Sequence, residues 1–166
     1  MYKIYLQDKK GNTALVSDED YLFCCSEKWY ENAWGYIYKI ESGGYRTQKK
    51  IFLHKFILER MSFIDIEYGD HKDGNRLNCQ RENLRPATCS QNRANTKFYI
   101  TNTSGYRGVY YDKDRDKWKA VAFHNYKKTY IGRFNTPEEA ALAYNRAAII
   151  YHGEFAVLNI VDEGKQ

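Results

Sequence analysis

The stretch DHKDGNRLNCQRENLRPATCSQNRAN, residues 70–95, decides how this 166-residue chain is organised. It contains few apolar residues, so it cannot form a hydrophobic core by itself. It joins an Asp-His pair to a tight Asp-Gly turn and then to a run of amide and arginine side chains. This composition is typical of a site that the rest of the chain supports.

Local patterns predict the secondary structure of this stretch. Apolar and polar residues alternate on the approach to Asp70, which indicates a strand. Asp73-Gly74 predicts a turn, followed by an irregular polar loop. Thr88-Cys89-Ser90-Gln91 has the form of a capping box, so a helix should begin at about Cys89. The predicted order is strand, loop, strand, helix, with Asn92 one turn into the helix and facing Asp70 and His71.

The side chains in this layout suit hydrolysis of a phosphodiester. The Asp70 carboxylate and the Asn92 amide carbonyl are hard oxygen ligands, which favour Mg²⁺, with Mn²⁺ as the alternative ion, over Zn²⁺. His71 has the side chain whose ordinary pKa suits deprotonation of water near neutral pH. The alternative is that Asp70 and Asn92 only cap and cross-link a small domain.

The segments LHKFIL (53–58), DHKDGNRLN (70–78), ENLR (82–85) and SQNRAN (90–95) occur in the order and spacing of a known motif. Over about residues 51–96 the chain closely resembles the HNH nucleases of phage and intron-encoded type. The resemblance implies that Asp70 and Asn92 bind one divalent metal, that His71 is the general base and that Asn83 supports it. Asn92 replaces the last His of the motif name, which again favours Mg²⁺ over zinc.

Charge is concentrated in the middle of the chain. The net charge is +5, but residues 85–133 carry 11 Lys or Arg against three Asp, a balance of +8. Such a basic block predicts a polyanion-binding face. Arg85 and Arg93 are candidate DNA contacts in this block. His54, on a helix predicted over residues 51–61, is a further candidate for a phosphate contact, with a structural role as the alternative.

Other bulk features exclude several classes of protein. No window reaches 18 apolar residues and the N-terminus lacks a signal-peptide core, so we expect a cytoplasmic protein of a phage or its bacterial host. The four cysteines form no regular framework, which predicts free thiols, with a zinc site as the minority alternative. Residues 2–50 predict short strands around a small aromatic core, the alternative being an aromatic platform for nucleic acid.

Residues beyond Thr96 predict a second unit. Strands are expected at 106–111, 117–123 and 126–131, followed by an alanine-rich helix that begins at Thr136-Pro137-Glu138-Glu139 and ends at Gly153. On the middle strand, small residues and Trp118 face one side. Lys117, Lys119, Val121 and Phe123 face the other.

The segments YRGV (106–109), YIGRF (130–134) and TPEEAALAYNRAA (136–148) carry a second resemblance. Residues 104–159 resemble the DNA-binding domain of plant ethylene-response-factor (Apetala-type) regulators. In that family the three-stranded sheet enters the major groove. The resemblance implies DNA-facing positions for five residues: Arg107, Lys117, Lys119, Lys128 and Tyr130. Tyr110, Val121 and Phe123 depart from the family pattern, so its base preference is not transferable, and a solvated sheet face is the alternative.

Together these patterns predict an α+β protein. Small N-terminal strands lead into a ββα-metal (HNH) module within residues 1–96, with its core at 51–96. A linker at 97–104 and a three-stranded antiparallel sheet packed on one helix at 105–160 follow. The predicted function is metal-dependent cleavage of double-stranded DNA, as a nick or a double-strand break, by a site-directed homing-type nuclease that is a monomer or weak dimer. The alternatives are a non-catalytic DNA-binding regulator and a nuclease acting on RNA.

Overall fold

Residues 1–7, 11–41, 48–96 and 102–161 are described by a computed structural model, in which the chain divides into two units, Met1–Cys89 and Ser90–Gln166. Residues 97–101 of the predicted linker lie outside the described residues, and the predicted domain boundaries stay a prediction.

The first unit begins with an antiparallel hairpin and a helix. The hairpin pairs β1 (Tyr2–Tyr5) with β2 (Thr13–Val16), and alternate residues such as Ile4, Ala14 and Val16 are buried, as period-2 patterning requires. Helix α1 (Asp18–Cys25) follows. Three acidic residues lie in its first turn, where their negative charge interacts favourably with the positive end of the helix dipole.

A three-stranded sheet and a second helix come next. Strands β3 (Tyr30–Glu31), β4 (Ile37–Glu41) and β5 (Lys49–Phe52) form an antiparallel sheet in that order. Helix α2 (Leu53–Arg60) follows β5 directly. The helix predicted from Ile51 therefore starts two residues late, because Ile51 and Phe52 still pair with β4.

The site-bearing stretch has the predicted order of elements. Strand β6 (Tyr68–His71) pairs antiparallel with β7 (Leu84–Ala87), and a 3-10 turn at Arg81–Asn83 leads into β7. Helix α3 (Cys89–Ala94) begins at the predicted residue. The core beneath these elements contains Trp29, Ile37, Leu53, Ile57, Leu58 and Leu84.

A buried carboxylate joins three parts of the first unit. Asp20 of α1 is fully buried and accepts hydrogen bonds from Arg60 of α2 and from Arg81 before β7, each at 2.7 Å. Burial acts to raise the pKa of Asp20, but the bonds from Arg81 and Arg60 outweigh it and hold the pKa below its ordinary value. This carboxylate therefore ties α1 and α2 to the segment that enters β7.

The second unit contains a three-stranded antiparallel sheet packed on one helix, as predicted. Strands β8 (Val109–Asp112), β9 (Lys117–His124) and β10 (Lys127–Phe134) lie in the order β10-β9-β8. Helix α4 (Pro137–His152) begins with a capping box between Thr136 and Glu139 and is followed by a 3-10 turn, Gly153–Phe155. Small residues share the core between sheet and helix: Val109, Ala120, Ala122, Ala140, Ala141 and Ala148.

The fold as a whole is a mixture of small antiparallel sheets and few helices. Within the described parts of the chain, no helix is both long enough and apolar enough to cross a bilayer.

Candidate active site

Strand β6 presents Asp70 and His71 at its end, and both side chains are buried. Asp70 lies directly opposite Arg85 of β7, and Arg85 Nε donates to Asp70 Oδ2 at 2.8 Å. The exposed fractions are 4% for Asp70 and 8% for Arg85, so this ion pair is shielded from water. The structure thus joins two residues that sequence assigned separately to metal and to DNA.

His54 lies behind His71. The two ring centroids are 5.2 Å apart, and Tyr36 and Phe52 flank His54 at 5.6 and 5.8 Å. A Cβ on Gly69 would come within 2.5 Å of His54 Cδ2, so glycine at this position permits the close approach. Burial, followed by the charge of His71, lowers the pKa of His54 to about 3. A buried neutral imidazole suits the structural role better than a phosphate contact.

The loop after His71 is held by a network of side-chain amides. Asp73 accepts hydrogen bonds from Asn75 N at 2.7 Å, Asn78 Nδ2 at 2.8 Å and Asn83 Nδ2 at 3.0 Å. Asn83 Oδ1 in turn accepts from Asp73 N at 3.0 Å. Burial acts to raise the pKa of Asp73, but the bonds from Asn78, Asn75 and Asn83 leave it below the ordinary value. Asn83 therefore supports the turn that follows His71.

The N-terminal hairpin anchors the other side of this loop. Leu15 N donates to Leu77 O at 2.8 Å, and Cys79 N donates to Leu15 O at 2.9 Å. Arg81 N donates to Ser17 Oγ at 2.9 Å. The first strands thus fix the backbone of the site-bearing loop, a role that sequence reasoning did not assign to them.

The surroundings of His71 keep its imidazole neutral. Its exposed fraction is 5%. Burial lowers the pKa of His71 to about 4, against the opposing effect of Asp70 and Asp73. The Cys79 thiol lies 3.7 Å from His71 Nε2, and the same sulfur lies 3.7 Å from Arg76 O. Burial raises the pKa of Cys79 well above its usual range, so the thiol keeps its proton.

Arg76 is a residue that sequence reasoning missed. It is exposed in the loop after His71, its Nη1 donates to Trp34 O, and its Cζ lies 4.5 Å from the centroid of the Tyr36 ring. The Tyr36 ring is also 6.4 Å from the His71 ring. The sequence shows an arginine two residues after an Asp-Gly turn. Its contact with Tyr36, a residue 40 positions earlier and just before β4, depends on the tertiary fold.

The second predicted metal ligand, Asn92, lies on α3 in the second unit. Its convergence with Asp70 stays a prediction. In the described residues there is no group of three His, Cys, Asp or Glu side chains that could hold a metal ion. All four cysteines, at positions 24, 25, 79 and 89, are free of disulfide bonds.

The sheet of the second unit carries the predicted basic face. Lys128 and Tyr130 are exposed, and Lys117 and Lys119 are half-buried. Val121, on the same side, is only 3% exposed. The β-bulge between Tyr130 and Gly132 shifts the register, so that Arg133 lies opposite Lys119.

The bulge explains why alternation missed Arg133. Simple alternation along β10 would place Arg133 on the helix side, whereas cross-strand partners share a face. Arg133 Nε donates to Asp112 Oδ2 at 3.0 Å. The basic face thus includes one arginine more than the sequence assigned to it.

Two other predicted DNA contacts have partners within the second unit. Arg107 Nη1 donates to Thr96 O at 2.9 Å. Arg93 Cζ lies 5.8 Å from the centroid of the Tyr126 ring. Both residues line a groove of about 480 Å³ together with Tyr110, Val121 and Phe123.

Comparison with known proteins shows which families the chain resembles. The chain is 34% identical over 162 residues to an uncharacterized HNH endonuclease of Acanthamoeba polyphaga mimivirus, which covers 98% of this chain and 82% of that relative. The chain belongs to the HNH endonuclease family. It is also 36% identical over 89 residues to Protein 3.8 of Escherichia phage T7, over 54% of this chain and 73% of the phage protein.

The second unit of this HNH endonuclease homologue carries an AP2 domain. The AP2 domain family matches residues 104–154. Over 64 residues the chain is 44% identical to the ethylene-responsive transcription factor WRI1 of Arabidopsis thaliana, which covers 37% of this chain but only 15% of the plant protein. Both resemblances stated from the sequence are therefore confirmed.

Proposed function

We propose that this chain is a metal-dependent endonuclease that hydrolyses one phosphodiester bond of duplex DNA, as a site-directed homing-type HNH nuclease. The observation that carries the proposal is His71, a buried neutral imidazole between the paired Asp70 carboxylate and a loop fixed by Asn83. A base of this kind, in a member of the HNH family with an AP2 domain, is suited to activate water beside a DNA phosphate.

His71 is the general base in the proposed reaction. It removes a proton from a water molecule whose oxygen forms the new bond to phosphorus. The bond from phosphorus to the 3′ oxygen breaks, and this oxygen leaves with the electron pair and is protonated by solvent. Because His71 has a pKa of about 4, nearly all of it is in the base form at neutral pH.

Cys79 selects the nitrogen that acts as base. The thiol has one proton, and the carbonyl of Arg76 can only accept it, at 3.7 Å. The sulfur is then left to accept the proton of His71 Nε2, also at 3.7 Å. We infer from this arrangement that the Nε2–H tautomer is favoured and that Nδ1 is the basic nitrogen.

Asp70 and Asn92 are the proposed holders of Mg²⁺, with Mn²⁺ as the alternative. The donor chemistry fits, because a carboxylate has about four lone-pair sites and the bond that Asp70 accepts from Arg85 does not by itself prevent metal binding. A carboxylate and an amide carbonyl are oxygen ligands of the kind these ions prefer. When bound, the ion would stabilise negative charge on the phosphate and on the leaving oxygen.

The AP2 sheet is the proposed DNA-holding surface. Its exposed or half-buried basic residues (Lys117, Lys119, Lys128, Arg133) share one face with Tyr130, and Arg107 lies in the adjacent groove. Positive charge on an exposed sheet face attracts the phosphate backbone. The plant relative WRI1 is named a transcription factor, which supports a role in DNA recognition.

Incubation of supercoiled plasmid with the purified protein tests the proposal. Wild-type protein should convert the plasmid to the nicked form with Mg²⁺ and not with excess chelator. His71→Ala should bind DNA but not cut it. One site per chain predicts a nick from a monomer, whereas a double-strand break needs two chains or two events. If the plasmid stays intact under every condition, the chain is not a DNA endonuclease. Steeply salt-dependent DNA binding would then favour the alternative of a non-catalytic DNA-binding regulator. Preferential cleavage of matched RNA would reassign the substrate.

A further inference from the structure

We propose that Arg76, seated on the ring of Tyr36, is a phosphate-binding residue that holds the target strand against His71. The inference rests on the proposed function, since Arg76 would bind the anionic substrate at the site around His71. The ligand is a backbone phosphate of DNA.

The pairing of arginines in the first unit singles out this residue. Arg60 and Arg81 share the carboxylate of Asp20. Arg85 pairs with Asp70. Among the described residues of this unit, Arg76 alone of the arginines has no carboxylate within ion-pair distance.

Arg76 is nevertheless held in place. Its guanidinium lies over the Tyr36 ring at 4.5 Å and donates to the carbonyl of Trp34. Gly35, between these two residues, has φ +82°, and a Cβ there would lie 3.8 Å from Arg76 Cδ. Stacking on an aromatic ring orients a guanidinium but does not neutralise it. The other N–H groups of the Arg76 guanidinium are therefore oriented in advance to donate hydrogen bonds to an anion.

The backbone of Arg76 and the ring that supports its guanidinium both lie near the proposed base. The backbone carbonyl of Arg76 and the ring of His71 contact the same Cys79 sulfur, each at 3.7 Å. The ring on which the guanidinium rests is also a neighbour of His71, with centroids 6.4 Å apart. A phosphate bound by Arg76 would therefore lie beside the imidazole.

The geometry also suggests why arginine occupies this position. Guanidinium binds two phosphate oxygens through a planar pair of N–H groups, which a lysine ammonium cannot do. A preorganised donor aimed at developing charge on phosphate contributes to the rate more than to binding. Loss of Arg76 should accordingly slow cleavage more than it weakens DNA association.

The test compares Arg76→Ala and Arg76→Lys with Lys72→Ala in the full chain. Lys72 is a matched control, because it is exposed in the same loop and its ammonium donates to the backbone carbonyl of Glu82. Two quantities are measured: the single-turnover cleavage rate with Mg²⁺ at saturating protein, and the affinity for a short duplex over a series of salt concentrations.

Arg76→Ala should cut roughly 10- to 100-fold more slowly than wild type, and Arg76→Lys should recover only part of that loss. Its plot of log affinity against log salt should be shallower by about 0.9, the value for one phosphate contact. Lys72→Ala should keep the wild-type rate. A wild-type rate in Arg76→Ala, or an equal loss in Lys72→Ala, would overturn the assignment while leaving the nuclease intact.

A measurement independent of cleavage separates this inference from the proposed function. The side-chain Nε–Hε signal of Arg76 in ¹⁵N NMR should shift when a short duplex is added, with or without metal. The shift should weaken in Tyr36→Leu and persist in Tyr36→Phe, since phenylalanine preserves the aromatic seat. If the signal shifts but wild type cuts no substrate, the phosphate site stands and the catalytic proposal fails. An unmoved signal overturns the phosphate site.

Discussion

Replacement of Arg85 by Met should destabilise the first unit, because the buried carboxylate of Asp70 then lacks its positively charged partner. Asp70 and Arg85 are 5% and 9% exposed at their side chains and are joined at 2.8 Å. Removal of one partner leaves a buried charge without compensation, which typically costs about 3–5 kcal/mol. Methionine preserves most of the side-chain volume, so the loss should reflect charge and hydrogen bonding rather than a cavity.

Urea denaturation measures the effect. Trp29 is 1% exposed and reports unfolding of the first unit, and a Trp118→Phe background removes the tryptophan of the second unit. In this background Arg85→Met should lose about 3–5 kcal/mol of unfolding free energy. Mg²⁺ should restore more stability to Arg85→Met than it adds to wild type, because a bound cation would replace the missing positive charge.

The double variant provides the control. Asp70→Asn combined with Arg85→Met removes both charges and should be about 2–3 kcal/mol more stable than the sum of the single losses implies. If Arg85→Met loses less than about 1 kcal/mol of unfolding free energy, the Asp70–Arg85 pair does not act as a buried ion pair, since a value in that range is typical of an exposed one. Equal effects of Mg²⁺ on variant and wild type would contradict a metal at Asp70.

Three further perturbations follow from the same contacts. Asp20→Asn should cost roughly 2–3 kcal/mol at pH 7, reduced because its arginine partners are partly exposed. Because the pKa of Asp20 is lower in the folded than in the unfolded chain, the stability that its carboxylate contributes is present above the unfolded pKa and is lost as pH falls through the folded pKa. The difference in unfolding free energy between wild type and Asp20→Asn, measured by urea denaturation, should therefore close below about pH 4. A difference that does not change with pH would contradict this. Gly108→Ala should lower the thermal midpoint of the second unit more than Gly105→Ala, since both have φ near +70° but only Gly108 would place a Cβ 2.3 Å from a tyrosine ring; equal shifts would refute the clash. Cys79→Ala should change the His71 tautomer ratio in ¹⁵N NMR, whereas an Nδ1–H tautomer in wild type would show that Nδ1 is not the base.

Much of the secondary structure follows from local sequence rules. The turn at Asp73-Gly74, the start of α3 at Cys89 and the start of α4 after Thr136 all depend on residues within one turn of each other. The alanine stripe of α4 likewise predicted close packing on the small face of β9. Patterns of short range were therefore sufficient for the order of elements in the site-bearing stretch and in the sheet and helix α4 of the second unit, but they did not predict α1 or β5.

Contacts between distant segments were not predictable in this way. The pairing of Asp20 with Arg60 and Arg81 joins residues 40 and 61 positions apart, and neither periodicity nor composition specifies it. Arg85 appeared as one more basic residue of a charged block, whereas the β6–β7 register places it directly opposite Asp70. Pairing register and tertiary packing, rather than residue type, determine these partners.

The β-bulge of β10 shows a similar limit. One irregular step after Tyr130 changes the face on which Arg133 lies, and strict alternation cannot indicate where such a step occurs. Likewise, the motif predicted Asp70, His71 and Asn83 as site residues, but it did not indicate that Leu15 and Ser17 of the N-terminal region hold the loop between them. The scaffold of the site is more dispersed along the chain than its chemistry.

Anomalous diffraction from a crystal of the chain with duplex DNA and Mn²⁺ tests the central claim most directly. One manganese peak is expected, bonded to side-chain oxygens of Asp70 and Asn92, with His71 facing the adjacent phosphorus. Asp70 and Asn92 on distant surfaces with no ion between them, or a peak at other residues, would contradict it.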